Sequence, residues 1–431
     1  MPNLILFDDV SRDDLLPLTF TRPCSELRVG MLTIREKWER MFRIKPSTLT
    51  LPYLANKFKV SAAKDNLLVN GAIIPDPGLL AAFKNLPKGS VLIFDPAKTP
   101  RKASLPPSGL NQRRELIALR LDDNQLNVLL KKGQFPLEPS DPALDELKPR
   151  AYAKPYVKIR FLWDIIGENG PELVRDFELI TRGRKSAPPH RSNLRVGKSK
   201  VFIEKGAKVF GASLNTEHGP IYIGKNAEVM EGSLIRGPVS IGEHSIIRMG
   251  ARIYGPASLG LQSRAGGELS NVVFQGYSNK SHDGFLGHAV LGEWCNLGAG
   301  TNNSNLKNNY APVSVWNYAQ RKEVNSGSLF CGLFMGDHSK CAINTMFNTG
   351  TVAGVFTNIF GAGFPDRFIP CYTWGGIMAK KVYTPSVALR VAEKVMARRG
   401  VTISEDEKSI LNSVFELTKS FRDGFAEKQN D

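Results

Sequence analysis

Two of the chain's six histidines stand six residues apart in the stretch KSHDGFLGH (280–288). An imidazole has an ordinary pKa near 6.5, so it exchanges a proton at neutral pH. Taken alone, His282 reads as a base, a metal ligand or a solvated turn residue. Downstream, NLGAGTNNSN (296–305) adds small residues and amides. Asn296 and Asn305 each offer a donor and an acceptor. Glycines let backbone N–H groups approach a ligand closely, which brings Gly298, Ala299 and Gly300 into consideration. Proton abstraction, an oxyanion site and polar substrate contacts are the chemistry such a set can supply.

The element that must position these residues is visible in a repeat. Aliphatic residues recur every six positions at Ile223, Val229, Ile235, Ile241, Ile247, Ile253 and Leu259, with Ile203 and Val209 ahead of them. Phe285, Leu291 and Leu297 resume the spacing, and Met335, Cys341 and Phe347 extend it. Six is neither the helical period nor the strand period. It is the period of a hexapeptide left-handed parallel β-helix, in which each short strand forms one side of a triangular coil and turns its aliphatic residue inward. The repeat is interrupted from Asn302 to about Phe334, where 313–316 and 321–325 read as two strands of an excursion. Insertions in a solenoid emerge on one face, often the binding face.

Residues 1–185 read differently. NLILF, LLVN, SVLIF and ELIALRL are strands, while 25–42, DPGLLAAFKNL and VKIRFLWDIIGEN are helices. That alternation predicts an α/β domain with a mostly parallel sheet. The Arg-, Ser- and Pro-rich stretch at 182–193 marks the boundary to the β-helix at 186–378. Two helices follow in a tail at 379–431, with Gly400 as a C-cap.

Composition narrows the function classes. Formal net charge is +16, with basic clusters at 182–200 and 98–102, yet no nucleic-acid-recognition motif accompanies it. A positive field also suits phosphorylated small molecules, and that reading is preferred to nucleic acid. No apolar run approaches the ~20 residues of a membrane span. The opening MPNLILFDDV lacks the basic start of a signal peptide. The five cysteines are odd in number and scattered, as expected of reduced thiols in a cytoplasmic protein.

The stretch 280–305 resembles the acetyltransferase half of the bifunctional UDP-N-acetylglucosamine diphosphorylase / glucosamine-1-phosphate N-acetyltransferase family. The shared elements are His282, then Phe285-Leu286-Gly287, a hexad at Leu291-Gly292, Asn296-Leu297-Gly298-Ala299-Gly300-Thr301, and Asn305. LFMGDHSKCAINTMFNTGTVAG (333–354) is similar to coils that follow an excursion loop in two-domain members. RDDLLPLTFTRPCSELRVGMLTIREKW (12–38), LLVNGAIIPDPGLL and DFELITRGR look like landmarks of a shortened sugar nucleotidyltransferase domain in bacterial members.

The resemblance implies acetyl transfer from acetyl-CoA to glucosamine 1-phosphate, then uridylyl transfer from UTP with Mg²⁺, in a homotrimer with sites between subunits. It makes His282 the base. It assigns Asn296 and Asn305 to sugar or acyl contact, and Gly298, Ala299 and Gly300 to acetyl-CoA or the oxyanion. Lys307, Lys280, Arg252 and Arg264 are candidates for the sugar phosphate, with Lys307 first. Phe285 stands where many members have a tyrosine whose hydroxyl touches that phosphate. The N-terminal half lacks a Gly-rich loop after its first strand, which leaves Arg12 and Arg22 for phosphate and Asp8 and Asp9 for Mg²⁺. A first domain kept only for assembly is the alternative there.

Other readings stand beside these. His244 and His338 read as ordinary turn residues, and His288 reads equally as a turn residue. Histidines of such solenoids also hold zinc between subunits, as in the gamma-class carbonic anhydrases. A scaffold that binds no acetyl-CoA is the third reading.

Overall fold

The computed structural model describes residues 2–95, 114–376 and 379–427. The basic cluster at 98–102 lies outside them. Packing divides the chain into two compact units. The first comprises Met1–Leu15, Arg22–Leu27 and Leu32–Phe161; the second comprises Leu16–Thr21, Arg28–Met31 and Leu162–Asp431.

The first unit is built on a six-stranded sheet. Its order is Ser47–Leu49, Asn3–Phe7, Asn66–Asn70, Glu115–Leu121, Ser90–Phe94 and Lys148–Ala151. Asn3–Phe7 runs parallel to both neighbours. Glu115–Leu121 runs antiparallel to both of its own, so the sheet is mixed. Ile5, Phe7, Leu68, Leu116 and Leu119 form its core. Sequence spacing predicts a helix over 25–42, but the structure delays it to Ile34–Phe42. Gly30 turns the chain at φ +79. Thr33 and Glu36 then close a capping box, worth about 1 kcal/mol at the N-cap. The second long helix also starts late, at Leu162, and runs on to Thr181. Ahead of it Lys158 is bridged to Ile73 as extended chain.

The second unit is the left-handed parallel β-helix. The hexad residues Ile223, Val229, Ile235, Ile241, Ile247, Ile253 and Leu259 are all in one core. Burying each contributes roughly 1.5–3 kcal/mol. Ile241 pairs with Leu259 and Ile247 with Ala265, eighteen residues on. The next coils are shorter: Leu259 pairs with Phe274, fifteen on, and Leu269 pairs with Leu286 and Phe274 with Leu291, seventeen on. The inward residues Leu286 and Leu291 stand five apart, which corrects the expected phase. Leu286 is the inward residue at 0 % exposure, while Phe285 pairs with Glu268 on the outward register and is half-buried.

The excursion forms an antiparallel hairpin of Ser314–Asn317 and Lys322–Asn325. The tail holds helices Pro385–Ala397 and Glu405–Leu417. Gly400, at φ +69, ends the first: Val401 N–H donates to Met396 O and Gly400 N–H to Ala397 O. That is a Schellman motif. The five cysteines are buried and free of disulfides. No helix among the described residues is long and apolar enough to cross a membrane.

Candidate functional site

Short strands of one β-helix face place polar residues at equivalent outward positions on successive coils. Arg264 pairs with Asn279, Asn279 with Asn296, and Asn296 with Lys340. Turns at the edge of this face add Arg248, His282, Gly298 and Ala299, and together these residues line a cavity of about 730 Å³. The end of the tail helix contributes Arg398 and Arg399, and Tyr277 and Trp294 lie at another edge. Those two rings are stacked at 4.1 Å.

The cavity's electrostatics are one-signed. Among the described residues, five cationic side chains (Arg248, Arg264, Lys340, Arg398 and Arg399) line it, and no carboxylate does. Burial, then Arg399 and Arg248, push Arg264 down to about 10. Burial also lowers Arg399, with Arg398 and Arg248 beside it. Burial is the larger cause of both shifts, and the neighbouring guanidiniums add a repulsion that a bound anion would relieve. Arg399 also donates to Asn279 Oδ1 at 3.0 Å, and Lys340 to the His338 carbonyl at 2.9 Å. His282 is exposed, and its ring makes no hydrogen bond to another described residue.

The remaining residues singled out in the sequence fall into other places. Asn296 lines the cavity and accepts from Asn279 Nδ2 at 3.3 Å. The glycines serve the coil more than a ligand. A Cβ on Gly298 would lie 2.5 Å from the Ala342 carbonyl carbon, and one on Gly300 would lie 2.1 Å from Asn344 Oδ1. Gly298 N–H donates to Cys341 O and Gly300 N–H to Asp283 O. Of the three amides, only that of Ala299 has no protein acceptor among the described residues.

Asn305 and Phe285 form a second cluster away from the cavity lining. Asn305 Nδ2 lies 2.8 Å from His288 Nδ1. The His288 ring stacks on Phe330 at 4.9 Å. With the amide donating, Nδ1 is the acceptor and the ring proton sits on Nε2. Burial pushes His288 down to about 4, so it is neutral at pH 7. The Phe285 ring lies over Gly287, close to the Asn305 amide. Lys307 does not line the cavity; its ammonium donates to Pro312 O at 2.9 Å. Arg252 lies 3.7 Å from Glu268. Lys280 points into the coil and is fully buried, which takes it out of direct contact with a substrate. His244 and His338 occupy left-handed turn positions, at φ +56 and +60. His338 is moreover buried and stacked on Phe356.

In the first unit, the ends of strands Asn3–Phe7 and Asn66–Asn70 and the start of Glu115–Leu121 bring polar residues to one sheet edge. Asp9 Oδ2 accepts from Asn70 at 2.8 Å and from the Lys158 ammonium at 2.6 Å. Arg160 holds Glu115 with two bonds, at 2.8 and 2.9 Å. Burial alone would raise the Glu115 carboxyl, but Lys158 and Arg160 outweigh it and hold the group at about 2. Asp8 accepts from Cys24 N–H at 2.8 Å and from the Thr50 hydroxyl at 2.6 Å, and burial raises its pKa.

These carboxylates do not fit as a Mg²⁺ pair. The oxygens of both take protein donors, Asp9 from Ser11 as well, and a lysine ammonium already supplies Asp9's counter-charge. No group of three or more His, Cys, Asp or Glu side chains among the described residues is arranged to hold a metal ion. Arg12 and Arg22 are buried. Arg12 pairs with Asp13 at 2.7 Å and with the Tyr53 hydroxyl at 2.5 Å.

Sequence reasoning missed Arg248, Lys340, Tyr277, Trp294, Arg398 and Arg399. The signal for the first two was their place in the repeat. The arginine pair stands just before Gly400, in a helix read only as a tail.

Residues 4–185 match the family model described as sugar nucleotidyl transferase. Residues 220–255 match the model described as bacterial transferase hexapeptide (six repeats). No curated protein matches the chain. Among solved structures, the chain is similar to the polysialic acid O-acetyltransferase OatWY, at 14% identity over 44% of this chain and 87% of that one, with a TM-score of 0.24. It is similar to UDP-N-acetylglucosamine acyltransferase from Campylobacter jejuni, at 14% identity over 56% and 85%, TM-score 0.23. The Arabidopsis UDP-N-acetylglucosamine acyltransferase gives 14% identity over 56% and 96%, TM-score 0.19. TM-scores this low set no site or substrate for the chain. Both family models describe transferases, so the chain joins a sugar nucleotidyl transferase-like part to a hexapeptide-repeat part.

Proposed function

We propose that the β-helix unit transfers an acetyl group from acetyl-CoA to the amine of glucosamine 1-phosphate, and that the first unit joins the product to UTP. The observation that carries the first step is His282 and Asn296 facing a cavity that, among the described residues, is lined by five cations and no carboxylate. Both substrates are phosphorylated, and a one-signed cavity attracts them. In the reaction the amine nitrogen attacks the thioester carbonyl. His282 takes the amine proton, a C–N bond forms, and the C–S bond breaks to release CoA as its thiol. Asn296 contacts the sugar or the acyl group. The Ala299 N–H is the one free amide of the glycine turn for the developing oxyanion.

In the second step an oxygen of the sugar phosphate attacks the α-phosphorus of UTP, and the bond to pyrophosphate breaks. The match at 4–185 supports this step. A second reading keeps only acetyl transfer, and the closure of Asp8 and Asp9 on protein donors favours it. The protein is expected to act in the cytoplasm as a homotrimer, without nucleic acid or membrane. Analytical ultracentrifugation tests the assembly.

The deciding experiment incubates the protein with glucosamine 1-phosphate, acetyl-CoA, UTP and Mg²⁺, and follows free thiol and pyrophosphate separately. Both products support the two-step reading. Thiol alone selects the second reading, and neither product refutes both.

A further inference from the structure

One lysine sits where the repeat calls for an aliphatic. The inward column of the cavity face runs Val209, Val229, Ile247, Ala265, Lys280, Leu297, Cys341, Ile359. Lys280 alone in it is charged, and it is 0 % exposed. Burying an ammonium is costly unless it is hydrogen-bonded. Its bonds go to one place: Nζ donates to the carbonyl of His282 and, at 3.1 Å, to that of Asp283.

Those carbonyls belong to the turn that carries His282 from the cavity face to the next one. No backbone N–H among the described residues serves the His282 carbonyl, so the ammonium is its hydrogen-bond donor. The Asp283 carbonyl also accepts Gly300 N–H at 3.0 Å, which ties the turn to the following coil. The groups facing the ammonium are Asp283 in the turn and Cys341 from the inward column, and burial outweighs both to lower Lys280 to about 8. A methionine or leucine here would suit the coil better. The cation stands at the one coil that, among the described residues, presents a histidine to the cavity.

We propose that Lys280 is a positioning residue: its ammonium, held inside the coil, fixes the His282–Asp283 turn and so sets where the imidazole enters the cavity. The functional part rests on the reading of His282 as the base. A merely structural lysine would stabilise the fold. A positioning lysine holds the turn while the coil would be as stable without it.

The test replaces the ammonium and keeps the apolar stem. Lys280→Met, and Lys280→Leu as a copy of the next coil's Leu297, are compared with wild type in melting temperature, acetyl transfer and amide exchange. Expected are melting temperatures equal to or above wild type, a kcat lower by about 100-fold, as for a displaced catalytic group, and an unchanged KM for acetyl-CoA. The Gly300 amide, which reports on the Asp283 carbonyl, exchanges faster. Wild-type kcat in either folded variant overturns the proposal, as does failure of both variants to fold. If wild type itself transfers no acetyl group, the functional reading falls on its own. Unchanged Gly300 exchange in the variants then overturns the positioning as well.

Discussion

Lys158 Nζ lies 2.6 Å from Asp9 Oδ2, with both side chains almost wholly buried. Glu115 Oε1 lies 4.0 Å from the same ammonium, and Glu115 is itself clasped by Arg160. This chain of charges occupies the sheet edge of the first unit. Each member is held by its neighbours, so removing one leaves another charged and buried.

Lys158→Met should therefore destabilise the first unit by about 3–5 kcal/mol, the usual cost of orphaning a buried charge. Urea unfolding measures it. Lys158 and Arg160 hold the Glu115 carboxyl at about 2, below its ordinary value of 4.5. Its contribution is complete above about 4.5 and is lost as pH falls toward 2. Without Lys158, acid unfolding should begin at a higher pH. A variant as stable as wild type at pH 7, with the same acid limb, would show that the pair holds nothing.

His288 carries the opposite kind of burden. Burial holds it at about 4, below its ordinary value of 6.5, so the folded state resists a proton that the unfolded state accepts. Its contribution is present above about 6.5 and fades as pH falls to about 4, a loss on the order of 3 kcal/mol at most. His288→Asn should remove that part of the acid sensitivity. Thermal melts at pH 7 and pH 4.5 compare the two proteins, and an unchanged difference between the two pH values would count against the buried neutral ring.

The arginine pair of the tail helix is expected to act on binding. Arg398→Ala with Arg399→Ala removes two of the cavity's five cations. Each charge-assisted contact is worth about 1.5–3 kcal/mol. Acetyl-CoA affinity by calorimetry should drop at least tenfold, and the remaining affinity should depend less on salt. Unaltered affinity would place the acyl donor elsewhere.

His282→Ala should lower kcat for acetyl transfer by about 10²–10⁴-fold, the usual contribution of a general base. The melting temperature should hold, since the ring is exposed and makes no hydrogen bond to described residues. His288→Asn provides the contrast: a larger kcat loss there than at His282 would exchange their roles. Zinc in stoichiometric amount in wild type, lost in His282→Ala, would favour the lyase reading instead.

Much of the fold was legible in the chain. The six-residue spacing from Ile203 to Leu259 named the inward residues one by one, and the excursion strands and tail helices lie where the pattern placed them. The misses have local causes. Phe285 was read one position out of phase because the inward residues Leu286 and Leu291 stand five apart, not six, and a fixed period cannot register a dropped residue. The helix expected at 25–42 began late because Gly30 and the Thr33 cap outweighed the apolar spacing ahead of them.

By itself, the sequence determined that this chain coils as a β-helix behind an α/β domain. Each coil side needs one apolar residue inside, and that requirement repeats locally whatever the distant chain does. Only the tertiary structure decided which side chains share the cavity. Coil stacking set Arg264, Asn279, Asn296 and Lys340 in line, and the tail helix brought Arg398 and Arg399 from further along the chain. It also turned Lys280 inward and Asp9 onto Lys158. Charge and amide groups carry no period of their own, so their meeting is settled by how the backbone stacks.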